Sequence, residues 1–221
     1  MDNLILIGTP ARRQIFRTRL PDLLPLAAGT SPDDLPTLPP GMVIVDLNLD
    51  ETPARLGAWR ELAPACLLGA AVLYPMGAML AASGGPAAFP CFGLNALPGM
   101  LERPVWEVSS PDPAQAATLT SLLARMGVTG EQVADRTGMV TPRILCLILN
   151  EAFLMAQEGS ARPEDIDIAM QLGVNYPAGP FAWADKLGLP LLLTLLERLW
   201  ADTGETRFRP AHLLRTRAMP G

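Results

Sequence analysis

Apolar residues follow two rhythms along this chain. Up to about residue 111 they come in short runs, at 4–7, 42–47, 66–73, 88–94 and 105–108, bounded by Gly, Pro and Asp. Short apolar runs between turn formers read as strands buried on both faces. Between them, residues 11–20 and 52–62 carry helix-like patterns. Strands alternating with helices predict a parallel sheet with crossover connections. Residues 21–40, dense in Pro and Asp, read as a loop.

Beyond residue 111 the period becomes helical. Residues 113–126 form an amphipathic segment that Gly127 stops, and a short strand is read at 132–134. A long helix follows at 141–158. Its Ile144, Leu145, Ile148, Leu149, Ala152, Phe153 and Ala156 recur at helical spacing and bury a broad face, and Gly159 suits a left-handed cap. The next helix starts at Pro163, with Glu164, Asp165 and Asp167 near its positive dipole end; Arg162 before it is a poor N-cap. A turn-rich loop at 173–180, a helix at 181–187 and a last long helix at 190–202 complete the pattern. Two domains are expected: an α/β domain with a reduced parallel sheet over 1–111, and an all-α domain over 112–221.

Composition excludes several functions. Of 221 residues, 49% are hydrophobic and 18% charged, too apolar for a disordered chain. A net charge of -5 argues against a nucleic-acid face. Residues 62–101 hold no charged side chain, but Pro64, Pro75, Gly84, Gly85, Pro86, Pro90 and Pro98 cut the stretch below the ~20 residues of a spanning helix. No membrane partner and no targeting segment are read, so a soluble cytoplasmic protein is expected. Cys66, Cys91 and Cys146 lie in apolar runs without a CxxC pair and read as buried free thiols. A single histidine, His212, gives no basis for a metal site, and none is expected.

From Gly138 the chain reads GMVTPRILCLILNEAFLMAQEGSARPEDIDIAMQLGVNYPAGPFAWADKLGL. Its NEA, EGxAxxEDID and GVNYPxGPxxWAD segments, in this order, resemble the C-terminal helical domain of the 3-hydroxyacyl-CoA dehydrogenases. The ending RFRPAHLLRTRA looks like the tail of the second helical module in the long two-module bacterial enzymes of that family. Upstream, FGLNALPGMLERPVWEVSS is similar to the family's strand-and-turn HFFNPxPxMxLVEV. The resemblance implies a Rossmann-like domain that binds NAD, and a helical domain that closes an acyl-CoA cleft and dimerises. It implies hydride transfer from a 3-hydroxy carbon to the nicotinamide. A histidine is the base, a glutamate orients it, and a serine and an asparagine hold the oxygen.

Carried over residue by residue, those roles meet altered positions. With Asn95 as anchor the histidine falls at Phe92, the serine at Ala71 and the asparagine at Pro142; only the glutamate is retained, as Glu107. A dinucleotide turn uses glycines so that backbone approaches the pyrophosphate. Here Gly8 keeps the first place, while Pro10 and Arg13 stand at the second and third. With too few residues before 42–47 for two more strands, no cofactor is expected, NAD included. Asn95, Thr141, Arg143, Asn175 and Tyr176 are the candidate ligand-cleft residues, and the arginines of the tail, Arg207, Arg209, Arg215 and Arg217, suit either phosphate contact or a solvated surface. The favoured reading is a catalytically degenerate relative in fatty-acid or aromatic-acid degradation, an acyl-CoA-binding or assembly subunit that dimerises through its helices. Two alternatives are a divergent NAD-dependent dehydrogenase, completed by a full-length dehydrogenase partner, and a purely structural dimerisation module.

Overall fold

The computed structural model describes residues 3–23, 27–35 and 38–219. By internal contacts the chain divides into two compact units, the first ending at Met139 and the second starting at Val140.

The first unit is a seven-stranded sheet: β1 (Leu4–Ile7), β2 (Ala27–Gly29), β3 (Val43–Asp46), β4 (Cys66–Ala70), β5 (Cys91–Leu94), β6 (Val105–Ser109) and β7 (Thr129–Val133). The strand order is β2-β1-β3-β4-β5-β6-β7. All neighbours are parallel except β5 and β6. Crossovers run through α1 (Pro10–Arg19), α2 (Arg55–Leu62), α3 (Met76–Ala82) and α4 (Ala116–Met126). One face of the sheet, with Leu4, Leu6, Val45, Leu68, Phe92, Leu94, Trp106 and Val108, packs on Phe16 of α1 and on Leu119, Leu122 and Leu123 of α4. Each fully buried residue of this size contributes roughly 1.5–3 kcal/mol of apolar burial.

Three expectations are corrected. Residues 21–40 are more than a loop: β2 lies there, parallel to β1, followed by a 3-10 turn over Pro32–Asp34. Its Ala-Ala-Gly has little strand propensity, and backbone pairing to β1 makes the strand. The chain therefore steps to one side of β1 and returns on the other, which keeps a switch point between β1 and β3. A helix, α3, occupies part of the uncharged stretch. Finally, the first unit reaches past residue 111. β7 pairs with β6 in full register, and α4 belongs to the sheet's core.

The second unit holds α5 (Thr141–Gln157), α6 (Pro163–Val174), α7 (Pro180–Leu187), α8 (Leu189–Thr203) and α9 (His212–Ala218). Helix α5 packs on α7, α8 and α9 around Leu149, Phe153, Leu195, Leu196, Leu199, Phe208 and Leu214, all nearly inaccessible. Arg162 gives no side-chain cap to α6; its guanidinium pairs with Asp165 at 2.8 Å instead. No helix of the described residues is long and apolar enough to cross a membrane. Cys66, Cys91 and Cys146 are buried and free, and burial pushes each thiol up to about 12.

Candidate active-site face and its relatives

The polar groups of the first unit gather on the second face of the sheet, near the ends of β4, β5 and β6. Beyond β5, Asn95 N donates to Glu107 O at 2.9 Å, and Asn95 Nδ2 donates to Glu107 Oε2 at 3.2 Å. Two residues further along β6, Ser109 Oγ donates to Asp135 Oδ1 at 2.8 Å. Asp135 also accepts Met76 N at 3.0 Å and Gly77 N at 2.7 Å, and so holds the start of α3. Asp50 does the same for the end of β4: its Oδ2 accepts Val72 N at 2.7 Å and Leu73 N at 2.9 Å. Burial raises the Asp50 carboxyl above its usual range, against those two bonds.

Strand parity decides what faces Glu107. Glu107 and Ser109 share one face, and Gly93 is the Cα partner of Ser109. Phe92, one residue earlier, points to the opposite face and lies in the helix-covered core with no exposed surface. Phe92, where the sequence places the family's base, thus lies on the face opposite Glu107, and Gly93 lies on the same face as Glu107. A Cβ on Gly93 would overlap Ser109 Oγ and lie 2.9 Å from Ala71 Cβ and 3.3 Å from Met139 Cε. A larger side chain has no room there. Ala71 itself is fully buried and offers a methyl group. Asp135 was not singled out from sequence; its role depends on two amides 58 and 59 positions away.

The remaining candidates belong to the second unit. Pro142 is buried in the first turn of α5, with Thr141 half-buried before it. The Arg143 guanidinium lies 5.6 Å from the Phe208 ring centroid, and Arg207 lies 5.0 Å from it. Asn175 is exposed and serves as the left-handed cap of α6 at φ 56, a role its short side chain tolerates. Tyr176 is half-buried, with its N–H given to Met170 O at 3.2 Å. Asp167 accepts Phe181 N at 2.8 Å and Ala182 N at 3.1 Å, capping α7. The Asn-Tyr-Pro loop is thus pinned at both ends. In the tail, Arg207 pairs with Glu205 at 2.6 Å and Arg215 with Glu197 at 2.6 Å.

At the switch point, Gly8 makes the turn from β1 into α1. A Cβ on it would lie 3.0 Å from Leu47 Cβ and 3.2 Å from Asn48 Oδ1. Thr9 N donates to Asn48 Oδ1 at 2.9 Å, and Thr9 Oγ1 accepts Arg12 N at 3.4 Å. Pro10 opens α1 without an N–H. Arg13, in the next turn, is half-buried, and its Nε has no hydrogen-bond partner.

A mostly parallel sheet with a switch point beside β1 defines a Rossmann-like fold, here followed by a helical unit. Residues 138–220 match the family model described as 3-hydroxyacyl-CoA dehydrogenase, C-terminal domain, and this segment is of the 3-hydroxyacyl-CoA dehydrogenase type. The chain is 50% identical over 97 residues to the 3-hydroxyadipyl-CoA dehydrogenase of Escherichia coli K12, covering 44% of this chain and 20% of that protein. It is 36% identical over 148 residues to a probable 3-hydroxybutyryl-CoA dehydrogenase of Deinococcus radiodurans, covering 66% of this chain and 53% of the relative. The chain thus spans from a fifth to about half the length of these relatives. Its fold is similar to that of the (S)-3-hydroxybutyryl-CoA dehydrogenase of Ralstonia eutropha, with a TM-score of 0.73 at 22% identity over 98% of this chain and 93% of that one.

These relatives overturn the expectation that no cofactor is involved: the family's members are NAD-dependent dehydrogenases. The sheet has one short strand, β2, between β1 and β3 along the chain, where two would not fit, so it is the relatives and not the sheet that overturn the expectation. The turn from β1 into α1 does not fit a pyrophosphate: Leu47 and Asn48 fill the space beside Gly8, Gly8 N donates to Gly29 O at 3.1 Å, Thr9 N to Asn48 Oδ1 at 2.9 Å, and Pro10 has no N–H.

Proposed function

We propose that this chain is a catalytically degenerate 3-hydroxyacyl-CoA dehydrogenase relative of fatty-acid or aromatic-acid degradation. It acts in the cytoplasm as an acyl-CoA-binding or assembly subunit. The observation that carries this reading is the composition of the face around Glu107. A dehydrogenation of this kind needs a group that takes the hydroxyl proton within hydrogen-bond reach. On this face Glu107 meets Asn95, Gly93 stands opposite Ser109, and Ala71 offers no hydroxyl. The chain's one histidine, His212, is an exposed residue of α9. Loss of a base or of an oxyanion donor each lowers rate by roughly 10²–10⁴. The reading does not depend on whether a dinucleotide binds.

Dimerisation is part of the proposal. Ile144 and Met155 on α5, with Ile168 and Leu172 on α6, expose large apolar surface, Leu172 at 83%. A shallow apolar groove of about 360 Å³, floored by Ala152 and Met155, lies among α5, α6 and α7. A second copy of the same face is self-complementary in the way two-fold dimers require. The second reading, a divergent dehydrogenase completed by a partner chain, is supported by the switch point beside β1.

Calorimetry of the purified chain with acetoacetyl-CoA, and separately with NADH, combined with an NADH-oxidation assay, tests both. Thioester binding without turnover supports the degenerate reading. Turnover by the chain alone sinks it, and turnover only on mixing with a full-length relative selects the second reading.

A further inference from the structure

We propose that a cavity beside α3 is a binding site for a small amphipathic cation, an apolar chain or ring carrying an ammonium group. The cavity measures about 400 Å³, within the usual range of small-molecule sites. It runs along α3 from Gly77 past Leu80 and Ala81. Phe89 and Cys91 form its floor, and Pro111 its far side. Cys91 is the first residue of β5, so this floor lies at the other end of that strand from the Asn95–Glu107 pair.

Two features make it a built site. First, the walls are held open from behind. Arg60 of α2 donates to Ser83 Oγ at 3.2 Å, to Pro86 O at 3.1 Å, to Leu80 O at 3.4 Å and to Gly85 O, which fixes the loop that forms one wall. A guanidinium satisfied by that many acceptors keeps the loop in place in the absence of a ligand. Small residues at Ala81 and Gly85 leave the space that larger side chains would fill; a Cβ on Gly85 would meet nothing within 4 Å. Second, the polarity is one-sided. The floor is uncharged, because burial keeps the Cys91 thiol protonated. At the rim stand Asp112 and Gln115. One Asp112 oxygen accepts Ala114 N at 2.9 Å, which leaves the other for a donor from the ligand. Arg60 keeps its charge but its guanidinium is turned to the loop carbonyls behind the wall, and Asp112 is the one charged side chain among the lining residues, so the rim carries negative charge beside an apolar interior.

The test is an NMR titration of the full chain with hexylammonium, 1-hexanol and hexanoate as probes. Hexylammonium is expected to give saturable shifts at the amides of Gly77, Leu80 and Gly85, with hexanol weaker and hexanoate weakest. Ala81→Trp, at an exposed helix position, fills the mouth and abolishes those shifts. Asp112→Asn keeps the bond to Ala114 N and weakens hexylammonium by about two- to fivefold, to the level of hexanol. Absence of saturable shifts with any probe, hexanoate binding more tightly than hexylammonium, or binding untouched by Ala81→Trp each overturns the proposal.

Discussion

In the helical unit, polar side chains, buried Asn150 and half-buried Asp167, hold the same motifs by which the sequence resembles the family. Asn150 of the NEA segment donates to Arg209 O at 3.0 Å and accepts Ala211 N at 2.8 Å, fixing the tail to α5. Asp167 of the EDID segment caps α7. In the sheet unit, carboxylates also hold backbone: buried Asp50 at the end of β4 and half-buried Asp135 at the start of α3. There Gly93 packs against Ala71, Ser109 and Met139, and neither Gly93 nor Ala71 carries a polar side chain. The contrast teaches that groups which satisfy backbone amides and groups which perform chemistry answer to different constraints. Loss of the first leaves orphaned donors in the core, at about 1–3 kcal/mol each, while loss of the second leaves the fold intact.

The sharpest way to break this comparison is Phe92→Ala. If Phe92 is core, as its burial says, the variant loses about 3–5 kcal/mol, read as a lower urea midpoint at unchanged m. A small loss would mean that Phe92 faces a site. Asp167→Ala strips two amides of α7 and is expected to cost about 0.5–2 kcal/mol by the same measurement. Asp50→Asn tests whether charge or hydrogen bonding matters. The amide oxygen can still accept both bonds, and the raised carboxyl carries a penalty when ionised. The sign follows from that: the wild-type carboxyl stabilises most below its unfolded value of 3.8, and loses ground as pH rises through its raised folded value. The variant is therefore expected to be the more stable one at pH 7, with the gap closing toward pH 4; a wild type that is more stable at pH 7 would contradict it. The smallest effect on stability is expected from Leu172→Lys, within about 0.5 kcal/mol, yet it should shift sedimentation toward monomer if α5 and α6 dimerise.

Much of this was legible in the sequence. The long helix α5 was readable from its apolar spacing, and β1, β3 and β4 from short apolar runs between turn formers. Strand β2 was hidden because Ala27, Ala28 and Gly29 carry no strand signal and their partner lies across a helix. Helix α3 was hidden by Gly and Pro around Met76–Ala82, and its start is held by Asp135 from beyond β7. The site was half legible: Glu107 and Asn95 do meet, but the side on which Phe92 falls depends on β5 pairing with β6, and residue spacing alone cannot supply that register.

The two borders of the sheet have a consequence for assembly. At one border β2 is three residues long; at the other β7 exposes Glu131 and ties Gln132 Nε2 to Thr120 Oγ1 at 3.0 Å. Short or charged margins of this kind make poor templates for a neighbour's strand. Growth of the sheet from molecule to molecule is thereby blunted, and concentrated solutions of this chain should resist fibrillar association even though its helices carry exposed leucine and isoleucine.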